Sequence, residues 1–245
     1  MADLCIDIGN TRLKLGFFSG GELVMSRVFT NEPLSSVHEF IEAFGMDKGD
    51  CIISSVRNST SEITELLSEN FVRCLELDEN TPLPVKNGYE TPGTLGKDRL
   101  CAAIGAYSLY GGKPLLVIDA GTAITIDMVN ENGKFMGGCI SPGFRMRANS
   151  LNTFTGRLPL VELSYLPPFP PTNTEAALNA GIINGVIFET EGYIQRCREI
   201  FPDISIVVTG GDTVFFEKYL NCHIFAEPHL VLYGLHRILQ HNAKI

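Results

Sequence analysis

No apolar run in the 245 residues approaches membrane-spanning length, and Asp3 and Asp7 occupy the start where an export signal needs basic residues ahead of an apolar stretch. The expectation is a cytoplasmic protein with no membrane contact. Positive charge is scarce as well: 19 Lys and Arg against 28 Asp and Glu leave a net charge of −9, which argues against a nucleic-acid partner, because phosphate backbones are held by an excess of Lys and Arg. The seven cysteines (5, 51, 74, 101, 139, 197 and 222) are odd in number, scattered, and never form Cys-x-x-Cys. Cys5 and Cys101 lie in apolar runs, so the cysteines read as small buried hydrophobes in a reducing compartment. The five histidines (38, 223, 229, 236 and 241) show no metal-ligand spacing with a cysteine or carboxylate. Absence of Gly-x-x-x-x-Gly-Lys-Ser/Thr, Gly-x-Gly-x-x-Gly and Gly-x-Ser-x-Gly disfavours P-loop kinases, dinucleotide enzymes and nucleophilic hydrolases in turn.

What the chain does have is a repeat. Asp7-Ile8-Gly9-Asn10-Thr11 and Asp119-Ala120-Gly121-Thr122 each sit between two short apolar runs. Aligning Asp7 with Asp119 also aligns Gly20-Gly21 with Asn132-Gly133, so both copies read as strand, Asp-x-Gly turn, strand, two-residue turn, strand. The expected organisation is two related domains, 1–113 and 114–245, of α/β type. Hydrophobic residues make up 44% of the chain and charged residues 19%, enough apolar material to give each domain a core.

Along the chain, residues 4–29 read as a three-strand meander. Ser35 to Phe44 has helical spacing and should stop at Gly45; Cys51 to Val56 reads as a buried strand, with Ser61 placed to cap a helix through Leu67. Three prolines and three glycines from Thr81 to Lys97 predict a long functional loop, followed by a helix over 100–110 that ends at Gly111-Gly112. Gly137 to Gly143 form a glycine-rich connection, and prolines from 159 to 171 mark a second loop. A helix is expected from Thr174 to about Phe201 despite Gly181, Gly185 and Gly192, then a strand over 205–208 and an apolar helix around Leu230 to Leu239.

Glycines 9 and 121 let the backbone approach an anion and aim N–H groups at it, with Asn10 and Thr11 adding donors. Asp, Gly and Asn are also common in ordinary turns; the duplication is what favours phosphate binding. Carboxylates beside phosphates call for a cation between them, so Asp7 and Asp119 imply bound metal. Lys14 brings positive charge if the hairpin folds back, and is otherwise a solvated strand residue. At Gly96-Lys97-Asp98-Arg99, Asp98 reads equally as a helix N-cap or as a base for an attacking hydroxyl, with Arg99 beside it for an anionic group. Thr209-Gly210-Gly211-Asp212 reads as a platform for adenine or as a plain strand-to-helix turn, and Thr174 reads first as an N-cap.

Taken together, Asp7 to Thr11, Tyr89-Glu90-Thr91-Pro92 leading to Leu95-Gly96-Lys97-Asp98-Arg99, Asp119 to Thr122, Gly137 to Gly143 and Thr209-Gly210-Gly211 resemble the type III pantothenate kinases, members of the acetate and sugar kinase/Hsp70/actin superfamily. The resemblance implies two related ribonuclease H-like domains with the active site in the cleft between them. It implies ATP-dependent phosphorylation of (R)-pantothenate to 4′-phosphopantothenate, the first step of coenzyme A biosynthesis. Asp7, Ile8, Gly9, Asn10, Thr11, Arg12, Leu13 and Lys14 would then form the first ATP phosphate loop, and Thr122 part of the second. Asp98 would be the general base. Tyr89, Gly96, Lys97, Asp98 and Arg99 would hold pantothenate, with Thr174 contributed by the partner subunit of a homodimer. Asp119 would bind a monovalent cation, K+ or NH4+, in addition to the Mg2+ that accompanies ATP. The chain departs from the family's usual pattern at Lys97, where an aliphatic or small residue is frequent, and at Glu227, where Asp usually precedes the proline. The alternatives are a kinase for another hydroxylated acid or a phosphatase on the same fold, and a non-catalytic regulatory relative. Retention of Asp7, Asp98 and Asp119 speaks against the last.

Overall fold

The computed structural model describes residues 1–30, 33–44, 48–56 and 60–243. The expected helix stop at Gly45 lies outside them. The strands and helices run β1 (Ala2–Ile8), β2 (Leu13–Ser19), β3 (Glu22–Phe29), α1 (Pro33–Phe44), β4 (Lys48–Ser55), α2 (Ser61–Asn70), β5 (Arg73–Glu76), β6 (Lys86–Asn87) and α3 (Lys97–Tyr110). They continue through β7 (Leu115–Ala120), β8 (Ala123–Val129), β9 (Lys134–Pro142), α4 (Phe144–Phe154), α5 (Thr174–Ile200), β10 (Ser205–Thr209), α6 (Thr213–Tyr219), β11 (Phe225–Ala226) and α7 (Leu230–Asn242). The chain divides into two compact units: Met1–Gly112, Asn132–Met136 and His229–Ile245 form one, Lys113–Glu131 and Gly137–Pro228 the other.

The repeat in the sequence is a repeat in topology. The first unit's sheet has the order β3-β2-β1-β4-β5, and in the second unit β9-β8-β7-β10-β11 follows the same plan. In each, the first two strands form an antiparallel hairpin, and the first strand then pairs in parallel with the fourth. The register carries the Asp-x-Gly correspondence with it: Asp7 lies opposite Ser54 on β4, and Asp119 opposite Thr209 on β10. The second turns of the two copies differ. Gly20 and Gly21 both take positive φ (61° and 92°), as a type I′ hairpin turn needs. Between β8 and β9 four residues intervene, of which Gly133 alone has positive φ.

Alternation decides what β1 and β2 cover. Leu4, Ile6, Leu13, Leu15 and Phe17 turn one face of the sheet toward α1 and α2, where Phe17 stacks on Phe40 (5.1 Å) and Phe44 (3.8 Å). On the other face Phe18 stacks on His236 at 4.1 Å and meets Tyr233 edge-on at 5.4 Å. His236 is anchored in turn by the Asp3 carboxylate, at 3.3 Å. Burial raises the Asp3 carboxyl, but hydrogen bonds from His236 and the Asp50 N–H outweigh it and hold the group below its usual range. Two glycines allow α3 and α7 to pack backbone on backbone: a Cβ at Gly105 would strike the Leu230 carbonyl oxygen, and one at Gly234 the Cys101 carbonyl oxygen. The last helix therefore packs within the first unit, although it follows residue 114 in chain order.

In the second unit, Leu116, Ile118, Ile124, Ile126, Ile206 and Val208 form a sheet face covered by Phe144 of α4, Ile183, Val186 and Ile187 of α5 and Phe216 of α6. Arg147 ties the end of β9 to α5, donating to the Pro142 carbonyl (2.8 Å), the Ser141 hydroxyl (2.7 Å) and Glu189 (2.6 Å). All seven cysteines are free thiols, and burial pushes the Cys5 and Cys101 thiols well up. Two expected caps move by one residue. Asn173 caps α5 by accepting the Ala176 N–H at 2.9 Å, leaving Thr174 as the first helical residue. Thr60, and not Ser61, precedes α2, with no side-chain cap bond there.

Candidate active site

The first loop of interest joins β1 to β2. Asp7 is buried at 7% exposure, while Asn10, Thr11 and Arg12 are exposed at the tip. The hairpin does fold back, so that Lys14 lies directly across from Asp7. The Gly9 N–H closes the turn on the Arg12 carbonyl at 2.9 Å. The same happens in the second unit, where the Gly121 N–H bonds the Ala123 carbonyl at 3.2 Å. These glycine N–H groups shape their turns and do not point outward as anion donors.

At the start of α3, Gly96 occupies the cap position, and Asp98 lies inside the first turn. Its Oδ1 accepts the N–H of the adjoining Arg99 at 2.8 Å. The N-cap reading of Asp98 therefore fails, and its carboxylate stands exposed at the helix start. A Cβ at Gly96 would lie 2.5 Å from Asp98 Oδ1, so glycine is what leaves room for that carboxylate. The thiol of Cys101, one turn along, is pushed up by burial first and then by the charges of both Asp7 and Asp98, with Lys97 opposing. Two carboxylates from distant parts of the sequence thus act on one group. Lys97 reaches back to the Ser55 carbonyl at 3.5 Å, and Ser55 is the register partner of Ile8. A cation is thereby held beside the strand end from which the first loop departs.

Tyr89 and Arg99 meet. The Arg99 guanidinium carbon lies 5.6 Å from the Tyr89 ring centroid and 5.9 Å from that of Phe135, and Arg99 is only 5% exposed. Asn87 orients Tyr89 by accepting its N–H at 2.9 Å. Neither Asn87 nor Phe135 stood out in the sequence, although Asn87-Gly88 is a turn-forming pair.

In the second unit Asp119 is half-buried at the end of β7 and Thr122, the residue after Gly121, is exposed. Thr209, opposite Asp119, is fully buried, and its Oγ1 has no hydrogen-bond partner among the described residues. Gly210 has φ of 98°, and a Cβ there would sit 2.5 Å from the backbone of Ala120. The Asp212 N–H bonds the Ala120 carbonyl at 3.0 Å and the Thr213 hydroxyl donates to that of Gly210 at 2.8 Å. These two bonds and the Gly210 conformation are those of a strand-to-helix turn. Thr174 is exposed at the head of α5.

Comparison with known proteins gives this arrangement a context. A family model described as type III pantothenate kinase matches residues 3–196. A type III pantothenate kinase of Phocaeicola vulgatus is 42% identical over 243 residues, covering 99% of this chain and all of the relative. Among solved structures, a Campylobacter jejuni protein described as a conserved Baf family transcriptional activator aligns at a TM-score of 0.64 and 24% identity, over 99% of this chain and 100% of its own. The activator of 2-hydroxyisocaproyl-CoA dehydratase from Clostridium difficile, with bound ADPNP, aligns at 0.57 and 11% identity over 100% and 98%. The two structural likenesses show the fold alone, an actin-, Hsp70- and sugar kinase-like one.

Proposed function

Because the chain belongs to the type III pantothenate kinase family, we propose that Asp98 is the base of its reaction and that the loops around Asp7 and Asp119 serve ATP and its cations. The activity is ATP-dependent phosphorylation of pantothenate to 4′-phosphopantothenate in coenzyme A biosynthesis, with Mg2+ accompanying the nucleotide. The observation that carries the residue assignment is the exposed Asp98 carboxylate beside the ring-held Arg99. Phosphoryl transfer depends mostly on positioning and charge, with little covalent work for the protein. Asp98 accepts the proton of the primary hydroxyl as that oxygen bonds to the γ-phosphorus and the bond from that phosphorus to the bridging oxygen breaks, releasing ADP. Arg99 takes the pantothenate carboxylate, and Tyr89, Gly96 and Lys97 bound the acceptor. Asn10, Thr11 and Lys14 serve the phosphates from the first loop, with Asp7, Ile8, Gly9, Arg12 and Leu13 shaping it, and Thr122 serves them from the second.

Asp119 is the proposed site of a monovalent cation, K+ or NH4+. The donor set fits such an ion: a half-buried carboxylate and, across the sheet, the unpartnered hydroxyl oxygen of Thr209. An ion there would supply positive charge near the nucleotide. Asp119→Ala should abolish stimulation by K+ in a steady-state assay across a K+ titration in Na+ buffer. A wild-type enzyme indifferent to K+ and NH4+, or a variant with the same K+ response, contradicts the assignment.

The protein acts as a homodimer in this reading, with Thr174 contributed to the partner's acceptor site. Gly181, Gly185, Phe188 and Gly192 form one stripe along α5, at intervals of three and four residues. Phe188 is 66% exposed, and a Cβ at Gly181 or Gly192 would meet nothing within 4 Å in its own chain. Within one chain these glycines weaken the helix without compensation; a second helix pressed on the stripe supplies it. Phe154 and Phe169, 85% and 84% exposed, lie in the same unit. Phe188→Glu should convert a dimeric species to a monomeric one in sedimentation velocity, and a monomeric wild type contradicts the proposal. Residues 1–113 and 114–245 are the proposed copies of the duplication, with α7 exchanged into the first unit's packing. Among the described residues no helix is long and apolar enough to cross a membrane.

A further inference from the structure

We infer that Phe135, acting through Arg99, sets the enzyme's preference for an acceptor that carries a carboxylate. The inference rests on the assignment of Arg99 to the pantothenate carboxylate. Phe135 is completely buried, and its ring and that of Tyr89, with centroids 6.1 Å apart and planes inclined at 56°, both lie within cation–π distance of the guanidinium. The pairing that puts Phe135 there is short and specific. Residues 86 and 87 of β6 run parallel to the first two residues of β9, and the Gly88 N–H bonds the Phe135 carbonyl at 3.0 Å. A Cβ at Gly88 would come within 2.6 Å of that carbonyl oxygen, so only glycine lets the loop lie close enough for Tyr89 to reach the guanidinium beside Phe135.

An arginine side chain has large rotamer freedom to lose on binding a ligand. With two rings against it, Arg99 has lost much of it before the acceptor arrives. The rings also keep water from the guanidinium, which strengthens its pairing with a carboxylate. Phe135 is thus a positioning residue, whose effect should fall on the charged end of the acceptor and leave the phosphoryl-transfer step alone.

The test compares pantothenate with its primary amide, a neutral acceptor of the same length, in wild type, Arg99→Gln and Phe135→Leu. Phe135→Leu should raise KM for pantothenate about 3- to 30-fold, the scale of a cation–π contact, with kcat and KM for ATP nearly unchanged and KM for the amide little altered. The preference for the carboxylate therefore shrinks by the same factor. Phe135→Tyr keeps the ring and should keep the preference; Phe135→Met, of similar volume without a ring, carries the test if the leucine variant does not fold. Equal losses on both acceptors, or an unchanged preference in both ringless variants, overturn the inference. Failure of the underlying assignment has a different signature: Arg99→Gln would then leave the preference intact. If Arg99→Gln abolishes the preference while the ringless variants retain it, the role given to Phe135 alone is wrong.

Discussion

Asp98→Asn should lower kcat by about 10²- to 10⁴-fold, the usual contribution of a positioned general base, while nucleotide affinity stays near that of wild type. The substitution separates chemistry from architecture. Asparagine has the same shape, and its Oδ1 still accepts the Arg99 N–H that Asp98 accepts at 2.8 Å. Since the cap position belongs to Gly96, the start of α3 does not depend on the charge at 98, and the melting temperature should hardly move. What asparagine lacks is a basic oxygen to receive the hydroxyl proton. Single-turnover kinetics with saturating ATP and pantothenate, beside a nucleotide-binding titration, read the two effects separately. Turnover within a few fold of wild type would remove Asp98 as the base; loss of nucleotide binding would place it in the phosphate site instead.

The second large effect is on stability. Gly234→Ala adds one methyl group to a helix, which on propensity alone is favourable by about 1 kcal/mol. Here the added carbon runs into the Cys101 carbonyl oxygen, a backbone atom of the facing helix that no rotamer change can move. Separating α3 from α7 should cost about 1–3 kcal/mol or more, which for a chain of this size lowers the melting temperature by roughly 2–12 °C. Gly156→Ala is the matched control, because its Cβ would meet nothing within 4 Å and its φ is not positive; it should be neutral. Since α3 carries Asp98 and Arg99 at its head, the Gly234 variant should lose activity along with stability. Equal melting temperatures for the two variants would show that the helices are less tightly packed than described.

These two effects sit on opposite sides of what could be read from residues alone. The duplicated hairpin was legible because Asp-x-Gly recurs between apolar runs with a glycine turn at the same distance beyond, and the two copies share a strand order although the expected two-residue turn forms only in the first. Long helices such as α5 were legible from their length and periodicity. Short elements were not: α6, β5, β6 and β11 hold too few residues for a pattern to develop, and α4 shows none because it buries only Phe144 and Ala148. Cap positions slipped by one residue where two capping types adjoin, as at Asn173-Thr174 and Thr60-Ser61. The local turn bonds of the Gly9 and Gly121 N–H groups could not be read from the residues, since they depend on how each turn closes. Phe135 was invisible as a site residue because its partners, Tyr89 and Arg99, come from chain segments that only strand pairing brings together.

The central claim is that this chain transfers the terminal phosphoryl group of ATP to the primary hydroxyl of pantothenate. Its most direct test is mass spectrometry of the products formed by the purified protein with ATP, Mg2+, K+ and (R)-pantothenate. A pantothenate product heavier by one phosphoryl group is expected, with one ADP released for each. ATP hydrolysis that leaves pantothenate unmodified, or preferential phosphorylation of another hydroxylated acid offered in the same mixture, would contradict it.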